Sequence, residues 1–272
     1  YGVHFLGSDD PSDFAWKLVA VNLSDLAAKG AEPAGVLIGL GLARPDDAWL
    51  ERFASGLARV LSEHGTALFG GDTTTGAASA VLGCTAIGHV PRGRSLSRTG
   101  AKPGDDLYVT GTVGDAGLGL AIARGEAPAD AALLRRYRLP APRLAAGRGL
   151  ADAGAHAAMD VSDGLLIDAS RMAKASGVRI EVSLADVPLS DAAVARLAPG
   201  DAGRLAATTS GDDYELLIAA PPERRAALLT LSEGARLRLT RVGRVQAGEG
   251  FSVIGGDGAP VPVPRLGYEH GA

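Results

Sequence analysis

Residues 158–168 join a short apolar run to a helical pattern, and they read Ala158-Met159-Asp160-Val161-Ser162-Asp163-Gly164-Leu165-Leu166-Ile167-Asp168. The apolar residues after Gly164 recur at helical spacing, which predicts that a strand ends here and a helix begins. Asp160 and Asp163 then lie at the junction, where free backbone N–H groups and the positive end of the helix dipole favour anions. Two interpretations stay open. Either Asp160 or Ser162 caps the helix, since Asp and Ser are favoured caps, or the carboxylates hold a metal ion.

Three further acidic clusters stand beside small residues at predicted element ends, and this repetition favours the metal hypothesis. They contain Asp25 in the first predicted helix, Asp72 after two glycines, and Asp212. Asp25 follows apolar residues at helical spacing, which places it on the buried face of its helix. A buried carboxylate is costly unless it is paired. Asp25 therefore binds a metal ion, or neighbouring backbone groups or Lys17 satisfy it.

The composition limits the class of protein. The chain has 272 residues, 46% of them hydrophobic, and a formal net charge of -4. This acidic balance argues against nucleic acid or an anionic membrane surface as a main partner, and no run is long and apolar enough to span a membrane. The single cysteine, Cys84, excludes an intramolecular disulfide, and its apolar neighbours predict a buried strand position. These properties favour a reducing cytoplasm.

Alternating strand and helix patterns predict an α/β or α+β fold with two domains, residues 1–99 and 100–272. The polar, Gly- and Pro-rich segment 91–104 is the predicted linker, and its arginines form either a solvated loop or a phosphate clamp. A turn is predicted at Gly70-Gly71-Asp72, where glycine lets the backbone approach a phosphate. A second glycine-rich turn, at 112–120, either cradles an anion or allows close helix–sheet packing.

The carboxylates indicate the chemistry. Asp25, Asp72, Asp160 and Asp163 bring hard oxygen ligands, which select magnesium or manganese over zinc. If they converge, two charges about 4 Å apart repel by roughly 4 kcal/mol at an effective dielectric constant near 20. Divalent cations would relieve that repulsion. Carboxylate-held magnesium beside glycine turns and an arginine loop is typical of phosphoryl transfer.

Five segments extend this interpretation: NLSDLAAKGA at 22–31, GGDTT at 70–74, GRSLSRTGAKPGD at 93–105, DVSDGL at 160–165 and SGDDYEL at 210–216. In this order they resemble the motifs of the thiamine-monophosphate kinase family, which belongs to the aminoimidazole ribonucleotide synthetase superfamily. The resemblance implies a smaller N-terminal α/β domain, a larger C-terminal α/β domain and a homodimer. It also implies ATP-dependent phosphorylation of thiamine monophosphate to thiamine diphosphate, by in-line transfer with magnesium ions.

The resemblance also implies roles for individual residues. A carboxylate and an aromatic face would suit the cationic thiazolium ring of thiamine. The implied metal ligands are Asp25, Asp72, Asp160 and Asp163, of which the last three are also implied to be catalytic. The implied ATP contacts are His64, Gly71, Asp72, Arg98 and Ser162, and the implied substrate contacts are His4, Asp212 and Tyr268.

The chain departs from the family pattern in two places. Asp212 stands where the family usually has Glu, which alters the reach of the carboxylate without changing its charge. The family's N-terminal segment, with further metal ligands, is absent before Tyr1, so the expectation is an omitted segment or a fragment with an incomplete metal site. The alternatives are another ATP-using synthetase, similar to selenophosphate synthetase, and a non-catalytic module that binds ATP without turnover.

Overall fold

The computed structural model describes residues 4–44 and 46–269, and it contains two β-sheets. The first sheet has the order β2-β1-β3. Strand β2 runs parallel to β1 and β3 runs antiparallel to it. Helix α1 packs on this sheet, and α2 packs on α1. The elements are α1 (Pro11–Ala28), β1 (Glu32–Leu42), α2 (Asp47–Glu63), β2 (Ala67–Thr75) and β3 (Val81–His89).

Local signals in the sequence set the ends of α1. Asp10 is the N-cap, and its side chain accepts a hydrogen bond of 2.9 Å from the Ser12 backbone N–H. Pro11 occupies the first helical position, where no intrahelical N–H is needed. Gly30 follows the helix with a φ of +73°, a conformation that glycine adopts without steric cost. These signals fix the residues at which the helix begins and ends.

The second sheet has six strands in the order β5-β7-β4-β8-β6-β9. Its neighbouring strands are antiparallel except for β6 and β9. The strands are β4 (Asp106–Thr110), β5 (Ala157–Asp160), β6 (Arg179–Ser183), β7 (Leu216–Ala220), β8 (Leu239–Gln246) and β9 (Gly250–Ile254). The helices are α3 (Asp115–Ala123), α4 (Ala131–Arg138), α5 (Leu144–Gly149), α6 (Leu165–Ser176), α7 (Asp191–Val194), α8 (Asp201–Thr208) and α9 (Arg225–Gly234).

Strand β7 has apolar contacts on both of its faces. Leu216 and Ile218 belong to the hydrophobic cluster that contains α1, whereas Leu217 belongs to the cluster that contains α6. Successive side chains of a strand point to opposite faces, so β7 is apolar at every position. Burial of each leucine contributes about 1.5–3 kcal/mol. Helix α1 thus packs against the first sheet and also contributes to the core of the second.

The structure confirms the predicted α/β class and most of the predicted elements. Strands β1–β3 come from the first 89 residues and β4–β9 from residues 106–254. The boundary at residues 99 and 100 falls between the sheets and stays a prediction. The sequence patterns missed α4, α8 and β9. In the described part of the chain, no helix has the length and apolar character needed to cross a membrane.

Two local predictions are wrong. Gly70, Gly71 and Asp72 lie within β2 and form no turn. A Cβ atom on Gly71 would stand 2.0 Å from the Ile38 carbonyl oxygen, so close strand pairing requires this glycine. Cys84 lies on β3 as predicted, but it is only half-buried. Burial nevertheless raises the pKa of its thiol to about 11.

Candidate active site

The junction between β5 and α6 satisfies its own backbone amides. Asp168, in the first turn of α6, accepts hydrogen bonds of 3.0 Å from the backbone N–H groups of Ser162 and Asp163. The N-cap of the helix is Gly164, which offers no side-chain cap. The alternative in which Asp160 or Ser162 caps the helix is therefore wrong. The side chains of Asp160 and Ser162 are left for other contacts.

The C-terminal segment is attached to the same junction. The Tyr268 backbone N–H donates to the Asp163 carbonyl oxygen at 2.9 Å. A Cβ atom on Gly267 would stand 2.5 Å from that oxygen, so glycine is needed where the two segments meet. The carboxylate of Asp163 pairs with Arg171 at 2.5 Å. The junction thus positions Asp163 and Tyr268 together.

Asp25 and Asp160 form an acidic pair between α1 and the end of β5. Burial, and then the neighbouring Asp25 carboxylate, raise the pKa of Asp160 to about 7, while the Ser24 hydroxyl opposes the shift. Desolvation also raises the pKa of Asp25, against the effect of Lys29 and then Arg98. The Asp25 carboxylate therefore raises the pKa of Asp160, and two cations stand close to Asp25.

The inward orientation predicted for Asp25 is wrong. The residue as a whole is exposed, although its carboxylate is partly screened from water. Lys17, suggested as its partner, is buried and pairs with Asp212. The helical-spacing argument failed because the residues on which it rests, Leu18, Val21 and Asn22, are themselves only half-buried, so Asp25 lies at the rim of the helix's buried face.

The four predicted metal ligands do not form one group. Asp72 lies on the exposed strand β2, and its carboxylate accepts a hydrogen bond of 2.9 Å from the Thr73 backbone N–H. Within residues 4–44 and 46–269, no three His, Cys, Asp or Glu side chains are arranged to hold a metal ion. The structure brings Asp25 and Asp160 together, whereas Asp163 engages Arg171.

A cavity of about 590 Å³ opens at the junction. Loop 209–214, the start of α3 and the C-terminal segment form its walls. The three residues predicted to contact substrate, His4, Asp212 and Tyr268, all line this cavity. Ser162 and Asp163 line it as well. These five residues come from four separate parts of the sequence and meet around one space.

Loop 210–215 presents Asp212 to this cavity in an unusual backbone conformation. Asp212 and Tyr214 have φ values of +71° and +51°, which cost residues with a Cβ atom roughly 1–2 kcal/mol each. The Asp212 carboxylate pairs with Lys17 Nζ at 2.7 Å and accepts a hydrogen bond of 3.1 Å from the Tyr214 hydroxyl. Side-chain contacts thus support the strained loop.

Asp213, the next residue, resolves the two interpretations of the glycine-rich turn at 112–120. Its carboxylate accepts hydrogen bonds from the backbone N–H groups of Gly114, at 2.7 Å, and Ala116, at 3.4 Å. Burial raises the pKa of Asp213 to about 8, although Arg136 and these amides oppose the shift. The turn therefore binds a carboxyl group, and that group is a side chain of the protein.

Glu215 connects the loop to α4 and α5. The carboxylate is fully buried, and it accepts hydrogen bonds from Thr110 Oγ1 at 2.7 Å and Arg136 Nη2 at 2.8 Å. Arg143 Nε donates to it at 2.8 Å. Because a buried charge is tolerated only when it is paired and hydrogen-bonded, this network fixes the C-terminal end of the loop.

A second cavity, of about 350 Å³, adjoins the first and shares His4 and Tyr214 with it. Phe14 and Leu18 of α1 supply part of its apolar wall. The buried hydroxyl of Tyr214 has a pKa well above its ordinary value, because of burial and then the Asp212 carboxylate. Sequence reasoning did not single out Tyr214 as a site residue, although it lies within the SGDDYEL segment.

The residues predicted to contact ATP lie at separate places in the fold. His64 ends α2, and its ring stands edge-on to Trp16 with centroids 5.8 Å apart. Burial lowers the pKa of His64, and its Nε2 atom is buried without a hydrogen-bond partner in the part of the chain described. Arg98 lies close enough to Asp25 to lower the pKa of that carboxyl. Gly71 is in β2 and Ser162 lines the larger cavity.

Comparison with known protein families gives a consistent result over the chain. Residues 1–90 match the family described as "AIR synthase related protein, N-terminal domain". Residues 102–256 match "AIR synthase related protein, C-terminal domain". The chain is 44% identical to the thiamine-monophosphate kinase of Escherichia coli (strain K12) over 275 residues, which cover 99% of this chain and 83% of that protein. It is also 44% identical to the thiamine-monophosphate kinase of Caulobacter vibrioides, over 99% of this chain and 78% of that protein.

Solved structures show the same similarity. The thiamine-monophosphate kinase of Stenotrophomonas maltophilia K279a superposes with a TM-score of 0.87 at 41% identity, over 96% of this chain and 83% of that chain. AaThiL complexed with AMPPCP and TMP superposes with a TM-score of 0.85 at 32% identity, over 99% of this chain and 84% of that chain. The hydrogenase maturation protein HypE, at 21% identity and a TM-score of 0.76, shares the fold.

Proposed function

The chain belongs to the thiamine-monophosphate kinase family, and on this basis we propose that it phosphorylates thiamine monophosphate to thiamine diphosphate with ATP. The observation that carries the proposal is the larger cavity, where His4, Asp212 and Tyr268 meet beside Asp163. Support comes from AaThiL, a similar structure solved with AMPPCP and TMP. The transfer is proposed to be direct and in line, with no covalent intermediate on the protein.

The larger cavity suits the proposed substrate. Its volume of about 590 Å³ lies within the range of about 300–1,000 Å³ that is common for small-molecule sites. The Asp212 carboxylate provides a negative charge for the cationic thiazolium ring. Tyr268 provides an aromatic ring that is partly exposed to the cavity, and such a ring attracts cations through its face. We propose His4 as a further substrate contact, because it lines the same space.

The acidic pair fits a magnesium ion. Its donors are carboxylate oxygens, which magnesium prefers, and mutual repulsion contributes to the raised pKa of Asp160. The hydroxyl of Ser24 beside them is buried and favours the charged form of Asp160. We propose Asp25 and Asp160 as ligands of one magnesium ion, and Asp72 and Asp163, which stand apart from this pair, as ligands of other magnesium ions. A bound magnesium ion would neutralise charge on the transferring phosphoryl group.

We propose that ATP contacts His64, Gly71, Asp72, Arg98 and Ser162. The position of Arg98 beside Asp25 supports this assignment, since a guanidinium close to the acidic pair can bind phosphate oxygens. The unpartnered Nε2 atom of His64 offers a hydrogen-bonding group toward a base. In this arrangement Arg98 positions phosphate oxygens near Asp160, and Asp163 lies on the side of the substrate cavity.

We also propose that the protein is a homodimer. Helix α1 packs on β1 and β3 of the first sheet and α2 packs on α1, whereas the described residues leave the opposite face of the sheet exposed. Leu37, Phe69, Val81 and Ile87 are exposed apolar side chains of this sheet. A large exposed apolar patch is typical of an interaction surface, and a two-fold dimer would bury it against itself. A cytoplasmic location, without nucleic-acid or membrane partners, completes the proposal.

The test is a magnesium-dependent turnover assay in which the products are identified by mass. ATP is supplied with thiamine monophosphate, with free thiamine, or without an acceptor. The proposal is supported if thiamine diphosphate forms with thiamine monophosphate as the acceptor and does not form with free thiamine or without an acceptor. Asp160→Asn should abolish thiamine diphosphate formation, whereas Asp186→Asn, at an exposed aspartate outside the site, should not. ATP binding without any diphosphate would instead support the non-catalytic alternative and contradict the proposal.

A further inference from the structure

Lys17 is a buried cation in the middle of an apolar helix face. Among the residues the structure describes, it is the only lysine or arginine that is buried as a whole residue. Its neighbours Ala15, Trp16 and Val19 are buried apolar residues. Because a charge in such surroundings is costly unless it is paired, the contacts of this ammonium group need an explanation beyond the packing of α1.

Among the described residues, the ammonium group of Lys17 contacts two side chains, and both belong to the C-terminal half of the chain. Nζ lies 2.7 Å from Asp212 Oδ2 and 4.0 Å from the centroid of the Tyr137 ring. Tyr137 belongs to α4, and Asp212 belongs to the loop before β7. Lys17 therefore connects the first helix to the wall of the larger cavity.

The loop itself needs this support. Asp212 has a positive φ, and its backbone N–H donates to the Ser162 carbonyl oxygen at 2.7 Å. That bond holds the main chain but leaves the direction of the side chain open. The carboxylate is fixed by Lys17 on Oδ2 and by the Tyr214 hydroxyl on Oδ1. It still lines the cavity, and 22% of the side chain is exposed.

We propose that Lys17 is a positioning residue for substrate binding. It holds the Asp212 carboxylate in the orientation that meets the cationic ring of thiamine monophosphate, without touching the substrate itself. The inference rests on the proposed function. It adds Lys17, which is not one of the proposed substrate contacts, to the residues on which substrate binding depends. Its physical basis is that an aspartate, which is shorter than glutamate, depends on an external partner to keep its oxygens at the cavity wall.

The proposal predicts a selective effect on one substrate. In Lys17→Met, the KM for thiamine monophosphate should rise about tenfold or more, equivalent to about 1.4 kcal/mol of binding. The KM for ATP and the kcat at saturation should stay within about twofold of the wild-type values. The variant loses binding of thiamine monophosphate equally in the ground state and the transition state, and such a loss raises KM without lowering kcat. A role in folding alone would lower the active fraction and would leave both KM values unchanged.

A second pair of variants separates positioning from stability. Lys17→Met/Asp212→Asn removes both charges, so it leaves no unpaired carboxylate and is expected to fold even if the single variant does not. Its KM for thiamine monophosphate should equal that of Asp212→Asn, because Lys17 acts only through Asp212. A further rise of about tenfold in the double variant would overturn the proposal, since additive effects indicate independent roles.

The control is Lys174→Met, which removes an exposed lysine from α6 and should change neither KM. A normal KM for thiamine monophosphate in folded Lys17→Met would refute the positioning role while leaving the proposed function intact. Absence of thiamine diphosphate with the wild-type chain would instead refute the proposed function. Binding of thiamine monophosphate without ATP, measured by calorimetry, should weaken by about the same tenfold factor in Lys17→Met.

Discussion

Asp160→Asn is expected to stabilise the metal-free protein at neutral and alkaline pH. Burial and the adjacent Asp25 carboxylate raise the pKa of Asp160 from 3.8 to about 7. At about 1.4 kcal/mol for each tenfold change in proton affinity, this difference corresponds to at most about 4 kcal/mol. Water enters such a site when the carboxylate ionises, so the expected gain is about 1–3 kcal/mol.

The sign of the effect follows from proton binding. The folded wild type holds the Asp160 proton more tightly than the unfolded chain does. The protonated Asp160 therefore contributes its full stabilisation of the folded state below about pH 4, and this contribution is lost by about pH 8. The Asp160→Asn variant has no such proton. The stability difference between the two proteins should therefore grow as the pH rises through this range.

Urea denaturation in the presence of a chelator, at about pH 5 and about pH 8, measures this difference. The midpoint of the variant should exceed that of the wild type by about 0.3–1 M at the higher pH, for a slope of roughly 3 kcal/mol per M. The exposed-site variant Asp186→Asn should follow the wild type. Added magnesium should stabilise the wild type alone, since a ligand stabilises the state that binds it. Identical pH dependence in wild type and Asp160→Asn would refute the reasoning.

Three further outcomes are expected. Glu215→Ala leaves Arg136 and Arg143 without their buried carboxylate, so the free energy of unfolding, measured with urea, should fall by about 3–5 kcal/mol. Gly267→Ala places a Cβ atom 2.5 Å from the Asp163 carbonyl oxygen; it should displace Tyr268 and raise the KM for thiamine monophosphate about tenfold in steady-state kinetics. Phe69→Glu puts a charge on the exposed apolar face of the first sheet, so sedimentation should show a monomer.

Matched variants test these three outcomes. Gly234 has no atom within 4 Å of a Cβ position, so Gly234→Ala should leave the KM unchanged. Val194→Glu changes an exposed apolar residue outside the sheet and should leave the oligomer intact. Equal sedimentation of wild type and Phe69→Glu would contradict the dimer surface, and a normal KM in Gly267→Ala would contradict the role of the C-terminal segment.

Periodic patterns predicted the elements whose signals are local. The start signal Pro11-Ser12-Asp13 and the stop signal Gly30 predict a helix over residues 14–29, close to the observed Pro11–Ala28. The prediction of a turn at Gly70 and Gly71 was wrong because glycine occurs both in turns and where two strands approach closely. A glycine in a loop and a glycine that admits a neighbouring strand read the same in one sequence, and only the position of β1 distinguishes them.

The sequence predicted part of the site. His4, Asp212 and Tyr268 were assigned through a resemblance, and the fold brings them to one cavity. The pairing of Lys17 with Asp212 joins residues 195 positions apart, and no spacing rule links such residues. A lysine inside an apolar helix face was a usable signal, since it demands a partner, but the sequence could not identify that partner.

Helix α1 carries groups that belong to two parts of the site. Lys17 and Asp25 are eight residues apart on it, which corresponds to about 12 Å along the axis and a rotation of about 80°. The rotation explains why one side chain is buried and the other is exposed. The helix thus sets the distance and the angle between Lys17, which supports the wall of the substrate cavity, and Asp25 of the acidic pair. Inserting one residue between them would turn Asp25 by about 100° and separate substrate recognition from phosphoryl transfer, without altering a single functional side chain.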